Sequence, residues 1–545
     1  MYAIGLVLVL VASANAGKHD QYSGYSVHGV KLRDDSDKVF ITELTDSLDL
    51  DVWQDGVAGE RDALVMLEPN SRLAVLDELD AREIQHYLHL RDVAQAFETH
   101  DEQINQWKQS RSGRLVPFND YPRYAEVDAY LETIAAQYPE LVTYSVHGIK
   151  LRTQSDKAFI EELTQSLDLD VWQVGVPESR DAQLMLSPED RVAVLDDLDK
   201  HGLEHYLHVA DVAKVLEAHE KEVNQWKQSR SGRLMPFNNY PRYEEVDAYL
   251  EQIAAQYPEL VTLVNAGQSF EGRDIKYLKI STTNFTDTSK PVYFMDAMMH
   301  AREWVTTPVT LFSIHRLVED LRDQDRDLLE DIDWIILPMT NPDGYEYSHT
   351  DVRLWRRTRS INLEVSTECV GVDANRNFDV NWNTTGVSQN PCSDVYPGTA
   401  PFSESETRIV RDIIAENLDR MEIFMNIHSH GNWVLYGFGD YTLPPNVIHL
   451  HVLSAAMGAA MDALKLPAAE WYKIGNSAMI LYTDSGSAAD YGQFVGVPFS
   501  LTLELPGYGN GFLVPPQYIE HINFETWEGI AVSARLARSF YRARQ

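Results

Sequence analysis

One stretch of this chain occurs twice. YSVHGVKLRDDSDKVFITELTDSLDLDVWQ begins at Tyr25, and YSVHGIKLRTQSDKAFIEELTQSLDLDVWQ begins at Tyr144, 119 residues later. The copies continue in register without a gap. NQWKQSRSGRL recurs at 105–115 and 224–234, and AAQYPELVT at 135–143 and 254–262. The match stops after Thr262. Solenoid repeats run roughly 20–50 residues, so a period this long marks a duplicated domain. Each unit reads as a small fold. VHGVKLR alternates like a strand, SDKVFITELTDSL has helical periodicity with a Ser cap, and DALVMLEP reads as strand. SRLAVLDELDAREI reads as helix and HYLHLRD as strand. Two short helices on a small antiparallel sheet form an α+β open-sandwich module. The module carries no cluster of catalytic groups.

A charged helical segment, HEKEVNQWKQSRSGRL, follows the second copy. Lys227, Arg230 and Arg233 within it suit a trypsin-like protease. A small module joined by a cleavable basic segment to a larger domain reads as a propeptide, with an ordinary interdomain linker as the alternative. The boundaries expected are 25–110 for the first module and 111–143 for a truncated copy of the next domain's start. The second module with its activation segment takes 144–233, and a large domain takes 234–545.

Length sets a prior of three to four domains for 545 residues. The composition, 44% hydrophobic with 10% aromatic, supports packed cores despite a formal charge of −37. That charge argues against nucleic acid, which would repel it. No basic run or basic amphipathic helix suggests a membrane surface. Residues 1–16, MYAIGLVLVLVASANA, are a short apolar run ending in a small-x-small site, as in a signal peptide, though without a positive start. A secreted, extracellular protein starting near Gly17 is expected. The Asn-x-Thr triplets at Asn284 and Asn383 fit that route. The only cysteines, Cys369 and Cys392, suggest one disulfide in such a compartment, with two buried thiols as the alternative.

From Leu234 the chain has 312 residues, enough for one large domain. Apolar runs (LVTLVNAG, IKYLKIST, PVYFMDAM, DWIILPM, IFMNIHSH, FSLTLEL) alternate with helical runs (TPVTLFSIHRLVEDL, SETRIVRDIIAENL, NVIHLHVLSAAMGAAMDAL). The pattern predicts an α/β fold, a buried central β-sheet flanked by helices. In DAMMHAREW, His300 and Glu303 stand three apart, directly after an apolar run. Catalytic zinc takes three protein ligands from His and Asp/Glu and keeps a position open. His-x-x-Glu alone is a weak signal among 18 histidines. A third ligand is available in IFMNIHSHGN, where His428 ends an apolar run and His430 is the alternative two residues on. A strand's carboxyl end in an α/β fold is where ligands bind.

HAREW (300–304), TNPDGYEY (340–347), RLWRRTRS (353–360), GVDANRNF (371–378), IHSH (427–430) and LTLEL (501–505), in this order, resemble the zinc carboxypeptidase A/B family. The repeated module resembles that family's activation propeptide, here present twice. The resemblance implies a mixed central sheet in the catalytic domain and one Zn²⁺, with His300, Glu303 and His428 as ligands. It makes Glu504 the general base and acid of peptide hydrolysis and Arg356 the stabiliser of the developing oxyanion. Asn375 and Arg376 match the clamp on the substrate's terminal carboxylate, and Tyr482 the residue that closes over it. Arg302 and Arg353 match positions lining the groove, and Asp373 an acceptor behind His300. Cys369 and Cys392 match the family's disulfide. The implied partners are peptide and protein C-termini and an activating trypsin-like protease, acting on a monomer.

Two departures bear on specificity. His430 stands where a tyrosine is usual. Ala489 stands where an apolar residue marks A-type preference and an aspartate B-type. With Leu435, Gly439, Leu481 and Thr502, it favours apolar C-terminal residues. Asp484 falls on a pocket position usually small and neutral, so a basic preference is the alternative. Two further readings compete: a catalytically dead peptide-binding homologue, and an inhibitor-like protein built on the tandem modules. Both are set against a complete ligand set and a complete large domain. The first copy reads as an extra inhibitory domain, a tandem duplication or a gene-model artefact.

Overall fold

The computed structural model describes residues 22–48, 50–54, 56–59, 61–99, 143–230, 235–467 and 469–545. The signal-like segment 1–16, nearly all of the truncated stretch 111–143, and Arg233 lie outside the described residues. The chain divides into two compact units, residues 1–136 and 137–545.

The first unit holds β1 (Ser26–Val30), β2 (Asp51–Gln54), β3 (Ala63–Leu67) and β4 (His86–Leu90), with helices Asp35–Leu48 and Arg72–Ala81. The sheet order is β2-β3-β1-β4, every pair antiparallel. Val30, Leu32, Val65, Leu67, Val75 and Leu79 pack between sheet and helices. Sequence periodicity predicts three strands; DVWQ adds a fourth at the sheet edge. Four residues are too few to display an alternation. The helix cap also moves. Asp34, not Ser36, accepts from the Ser36 and Asp37 amides at 2.9 and 3.1 Å.

The second unit opens with the same module: β5 (Ser145–Ile149), β6 (Asp170–Gln173), β7 (Ala182–Leu186) and β8 (His205–Val209), in the order β6-β7-β5-β8. Its first helix, Gln154–Leu167, starts with a capping box between Thr153 and Asp156. The helix Val212–Ser229, capped by Asp211, leads out of the module.

The large domain carries eight strands: β9 (Val261–Gln268), β10 (Asp274–Ile280), β11 (Val292–Ala297), β12 (Asp333–Leu337), β13 (Met421–Ser429), β14 (Trp433–Tyr436), β15 (Lys473–Asn476) and β16 (Phe499–Leu505). They run in the order β15-β14-β16-β13-β11-β12-β10-β9. The four central strands β12, β11, β13 and β16 are parallel, while β10 and β14 add antiparallel pairs on either side. This is the mixed sheet the resemblance implies. Alternate residues feed two cores. Tyr293, Met295, Trp334, Ile336, Ile423 and Met425 face one, with helices Thr306–Val318, Val447–Asp462 and Ile519–Arg544. Val292, Phe294, Ile335, Leu337 and Phe424 face the other, with helix Ser405–Asn417. A parallel sheet covered on both faces explains the unbroken apolar runs.

Candidate active site

Three adjacent parallel strands deliver the chemistry at their carboxyl ends, the usual ligand-binding edge of such a sheet. Past the end of β11 come His300 and Glu303; His428 lies next to last in β13, and Glu504 next to last in β16. Register places His428 and Glu504 directly opposite each other.

The side chains of His300, Glu303 and His428 converge and are all buried. His300 Nδ1 lies 2.8 Å from Glu303 Oε1, and His428 Nδ1 lies 3.0 Å from Glu303 Oε2. The two Nδ1 atoms are 3.1 Å apart. Behind them, His300 Nε2 meets Asp373 Oδ1 at 3.0 Å and His428 Nε2 meets Asn426 Oδ1 at 2.5 Å. Both outer partners are acceptors, so each Nε2 carries the proton and each Nδ1 turns its lone pair inward. Two lone pairs and a carboxylate facing one another repel unless a cation joins them. The donor set, two imidazoles and one carboxylate with acceptors fixing each tautomer, fits zinc.

Charge is graded across the site. Burial works to raise the Glu303 carboxyl, but the two imidazoles beside it hold it below its usual range. Burial, reinforced by Glu303, pushes Glu504 up to about 7; a bound dication acts in the opposite sense. Glu504 Oε2 is buried with no hydrogen-bond partner among the described residues. Arg356 spends Nε and Nη2 on Asp373 Oδ2, at 3.1 and 2.9 Å, which leaves Nη1 4.0 Å from Glu303.

Beside the cluster lies a cavity of about 320 Å³. Arg302, Arg356, Asn375, Arg376, Leu435, Leu481, Tyr482, Asp484, Ala489, Thr502 and Glu504 all reach it. Arg376 is buried, donating to Gly386 O at 3.0 Å and to the Tyr482 hydroxyl at 3.3 Å. Its Nη1 lies 3.4 Å from Asp484 Oδ2. Asn375 is held by Ala488 N, which donates to its Oδ1 at 2.8 Å. Leu435 and Thr502 are cross-strand partners on β14 and β16.

Two positions fall elsewhere than the resemblance implies. Arg353 does not line the cavity. Its guanidinium donates to Arg302 O and Phe512 O, both at 2.9 Å, and lies 3.6 Å over the Trp304 ring. Gly439 sits behind Asp484 and Asp490, which cover it: its amide donates to Asp490 Oδ2 at 2.7 Å. His430 leaves the metal cluster because β13 ends at Ser429; its Nε2 meets Trp172 O at 2.7 Å. Asn426 and Asp490 belong to none of the sequence motifs that carry the family resemblance. The alternation of MNIHS puts Asn426 on the face of His428 and could have revealed it. Cys369 and Cys392 form the disulfide, their Cα atoms 4.8 Å apart.

The second module closes this cleft. Asp170 pairs with Arg302 at 2.9 Å, and Arg302 also meets Asp394 at 3.2 Å. Asp168 accepts from Asn390 at 3.0 Å and from the Ser393 hydroxyl. Arg180 lies 3.9 Å over the Trp433 ring. Trp172 packs with Val146, Val212 and Leu513.

Comparison with known proteins agrees with this architecture. The family described as zinc carboxypeptidase matches residues 246–529, and the one described as carboxypeptidase activation peptide matches 29–100 and again 148–219. Carboxypeptidase B of Helicoverpa zea is 42% identical over 430 residues, covering 77% of this chain and 100% of that protein. Carboxypeptidase A2 of Mus musculus is 33% identical over 374 residues, covering 68% and 87%. The crystal structure of carboxypeptidase A from Helicoverpa armigera superposes with a TM-score of 0.70 at 42% identity, covering 73% of this chain and 98% of that one. A complete donor set for the metal, a matched catalytic domain and a twice-matched activation peptide have one reading: this chain is the zymogen of a metallopeptidase and belongs to the zinc carboxypeptidase family.

Proposed function

We propose that the mature enzyme removes single, chiefly apolar residues from the C-termini of peptides and proteins. The convergence of His300, Glu303 and His428 beside Glu504, in a cavity that also holds Arg376, carries this reading. A zinc ion held by those three side chains supplies a Lewis acid that polarises the scissile carbonyl and acidifies water. Glu504 takes the proton from the attacking water and returns it to the leaving amine. Arg356, braced by Asp373, presents Nη1 to charge developing on the carbonyl oxygen. Arg376 and Asn375 take the substrate's terminal carboxylate in a bidentate contact, and Tyr482 covers it. A free C-terminus is required because only a terminal carboxylate can take the place of Asp484 on the Arg376 guanidinium.

Ala489 offers no charge to the substrate's last side chain. The two acids nearby are already engaged, Asp484 with Arg376 and Asp490 with the Gly439 amide. That leaves Leu435, Leu481, Ala489 and Thr502 as an apolar wall. A second reading, preference for Lys or Arg, is favoured by one observation: Asp484 reaches the same cavity and is freed when substrate carboxylate displaces it from Arg376.

The second module acts as the cap, released by trypsin-like cleavage at Arg230 or Arg233, with secretion into the extracellular space as a monomer. The test is mass spectrometry of peptides ending in Phe, Leu, Lys, Arg or Glu after tryptic activation, with and without chelator. Chelator-sensitive loss of Phe and Leu is expected. Loss of Lys and Arg instead would establish the second reading, and no trimming by zinc-loaded, fully processed protein would overturn both.

A further inference from the structure

The first module keeps the residues with which the second one closes the cleft. One repeat length before Asp168, Asp170, Trp172 and Arg180 stand Asp49, Asp51, Trp53 and Arg61. In sequence Glu60 stands where the second module has Ser179, whose hydroxyl accepts from Lys473 Nζ at 2.7 Å. The backbone is retained as well. β2 pairs with β3 as Asp51↔Met66, Val52↔Val65 and Gln54↔Leu64; β6 pairs with β7 as Asp170↔Met185, Val171↔Leu184 and Gln173↔Gln183. The irregularity falls at the same place in both, so Asp51 and Trp53 are aimed as Asp170 and Trp172 are. Their surroundings differ. Trp172 is 6% exposed under the catalytic domain, whereas Trp53 is 39% exposed, and Asp51 and Val52 beside it are exposed too.

We propose that the first module is a second inhibitory domain, whose β2 edge docks in the active-site cleft of another, activated molecule of this chain. The occupant follows from the seated copy: the same residues on the same strand already fit that cleft, through Asp170 on Arg302 and the Trp172 carbonyl on His430. Within one uncleaved chain the cleft is filled by the second module, so the vacant cleft belongs to a processed molecule. The inference rests on the second module being the cap. Its consequence is damping: uncleaved zymogen restrains enzyme already released until the first module is itself degraded.

The experiment titrates zymogen, silenced by Glu504→Gln, into a fixed low concentration of trypsin-activated, repurified catalytic domain and follows peptide hydrolysis. Saturable inhibition is expected, with a midpoint on the order of 1 µM or tighter, as for protein interfaces of ordinary size. Asp51→Arg with Trp53→Ala should raise that midpoint roughly 30-fold, since both are exposed anchors. Far-UV circular dichroism of this variant checks that the module stays folded. No inhibition of demonstrably active enzyme, or inhibition that the folded double variant leaves unchanged, overturns the proposal. Failure of the capping premise shows separately, as Asp170→Arg failing to raise the zymogen's basal activity.

Discussion

Replacing Asp170 by alanine should make the uncleaved zymogen leak. Asp170 reaches from the module's edge strand to Arg302, which is 4% exposed and also meets Asp394 and the Phe512 ring, the latter at 4.4 Å. Removing one member of a buried ion pair costs roughly 3–5 kcal/mol when the other charge is stranded. Here Asp394 remains beside Arg302, so the guanidinium is not stranded. Burial also raises the Asp170 carboxyl, a sign that docking desolvates it at a cost. Both considerations lower the figure to about 2 kcal/mol. That loss opens the cleft roughly 30-fold more often, at ~1.4 kcal/mol per decade.

Basal hydrolysis by the zymogen should therefore rise by about that factor. After tryptic activation, mutant and wild type should have the same kcat/KM, because Asp170 leaves with the module. The assay is run at nanomolar protein, where capture of one molecule by another contributes little. A basal rate equal to wild type would refute the reasoning, as would an equal change in the activated enzyme.

Three further outcomes are expected. Glu504→Gln should keep zinc, measured by atomic absorption, while kcat falls by at least ~10²–10⁴ because the amide cannot take a proton; activity within tenfold of wild type would remove Glu504 from its role. Ala489→Asp should swing the kcat/KM ratio of Arg-ending over Phe-ending peptides by roughly 100-fold, the scale of one buried charge pair; an unmoved ratio would show that residue 489 does not face the substrate side chain. Glu406 is buried, with Oε1 lacking a partner among the described residues, and burial pushes its carboxyl up to about 8. The folded state thus holds a proton that the unfolded chain releases near pH 4.5, so stability falls as pH rises from there to about 8. Glu406→Gln should remove up to ~1.4 kcal/mol per pH unit of that slope, read as a rising melting-temperature difference between pH 5 and 8; parallel curves would contradict it.

The elements legible in the sequence are those with a run of five or more residues, either continuously apolar or alternating. Strands β11, β12 and β13 are buried on both faces and announce themselves as apolar runs, whereas β16, FSLTLEL, alternates, with Thr502 and Glu504 less buried than their neighbours. Strands β14 and β15 have four residues each and escaped notice, as did the helix Ile519–Arg544, whose apolar stripe is diluted by charges on its exposed side. Within the site, His300 and Glu303 lie in one turn, so their spacing was visible. His428 and Glu504 come from separate strands, and periodicity alone places each at a strand end without showing that they meet. Only the register of β13 against β16 does that. Asp394 on Arg302 and Asp490 on Gly439 have no local pattern at all, since each answers a charge or amide that arrives from elsewhere in the chain.

The duplicated module makes the limit concrete. SLDLDVWQ is the same eight residues in both copies, and both fold it into the same edge strand with the same irregularity. Propensity and pattern therefore account for the strand and the direction of its side chains. They do not account for burial, because Trp172 is covered and Trp53 is not. Trp53 stacks on Phe97 of its own module, ring centroids 5.9 Å apart, while Asp51 beside it is exposed and stands outside the core of Val30, Val65, Leu67 and Leu79. Losing Trp53 should cost the module one aromatic stack, on the order of 1 kcal/mol beyond the area buried, and losing Asp51 should leave its core intact. What those two residues retain is complementarity to a cleft, and complementarity can be measured only against the cleft itself.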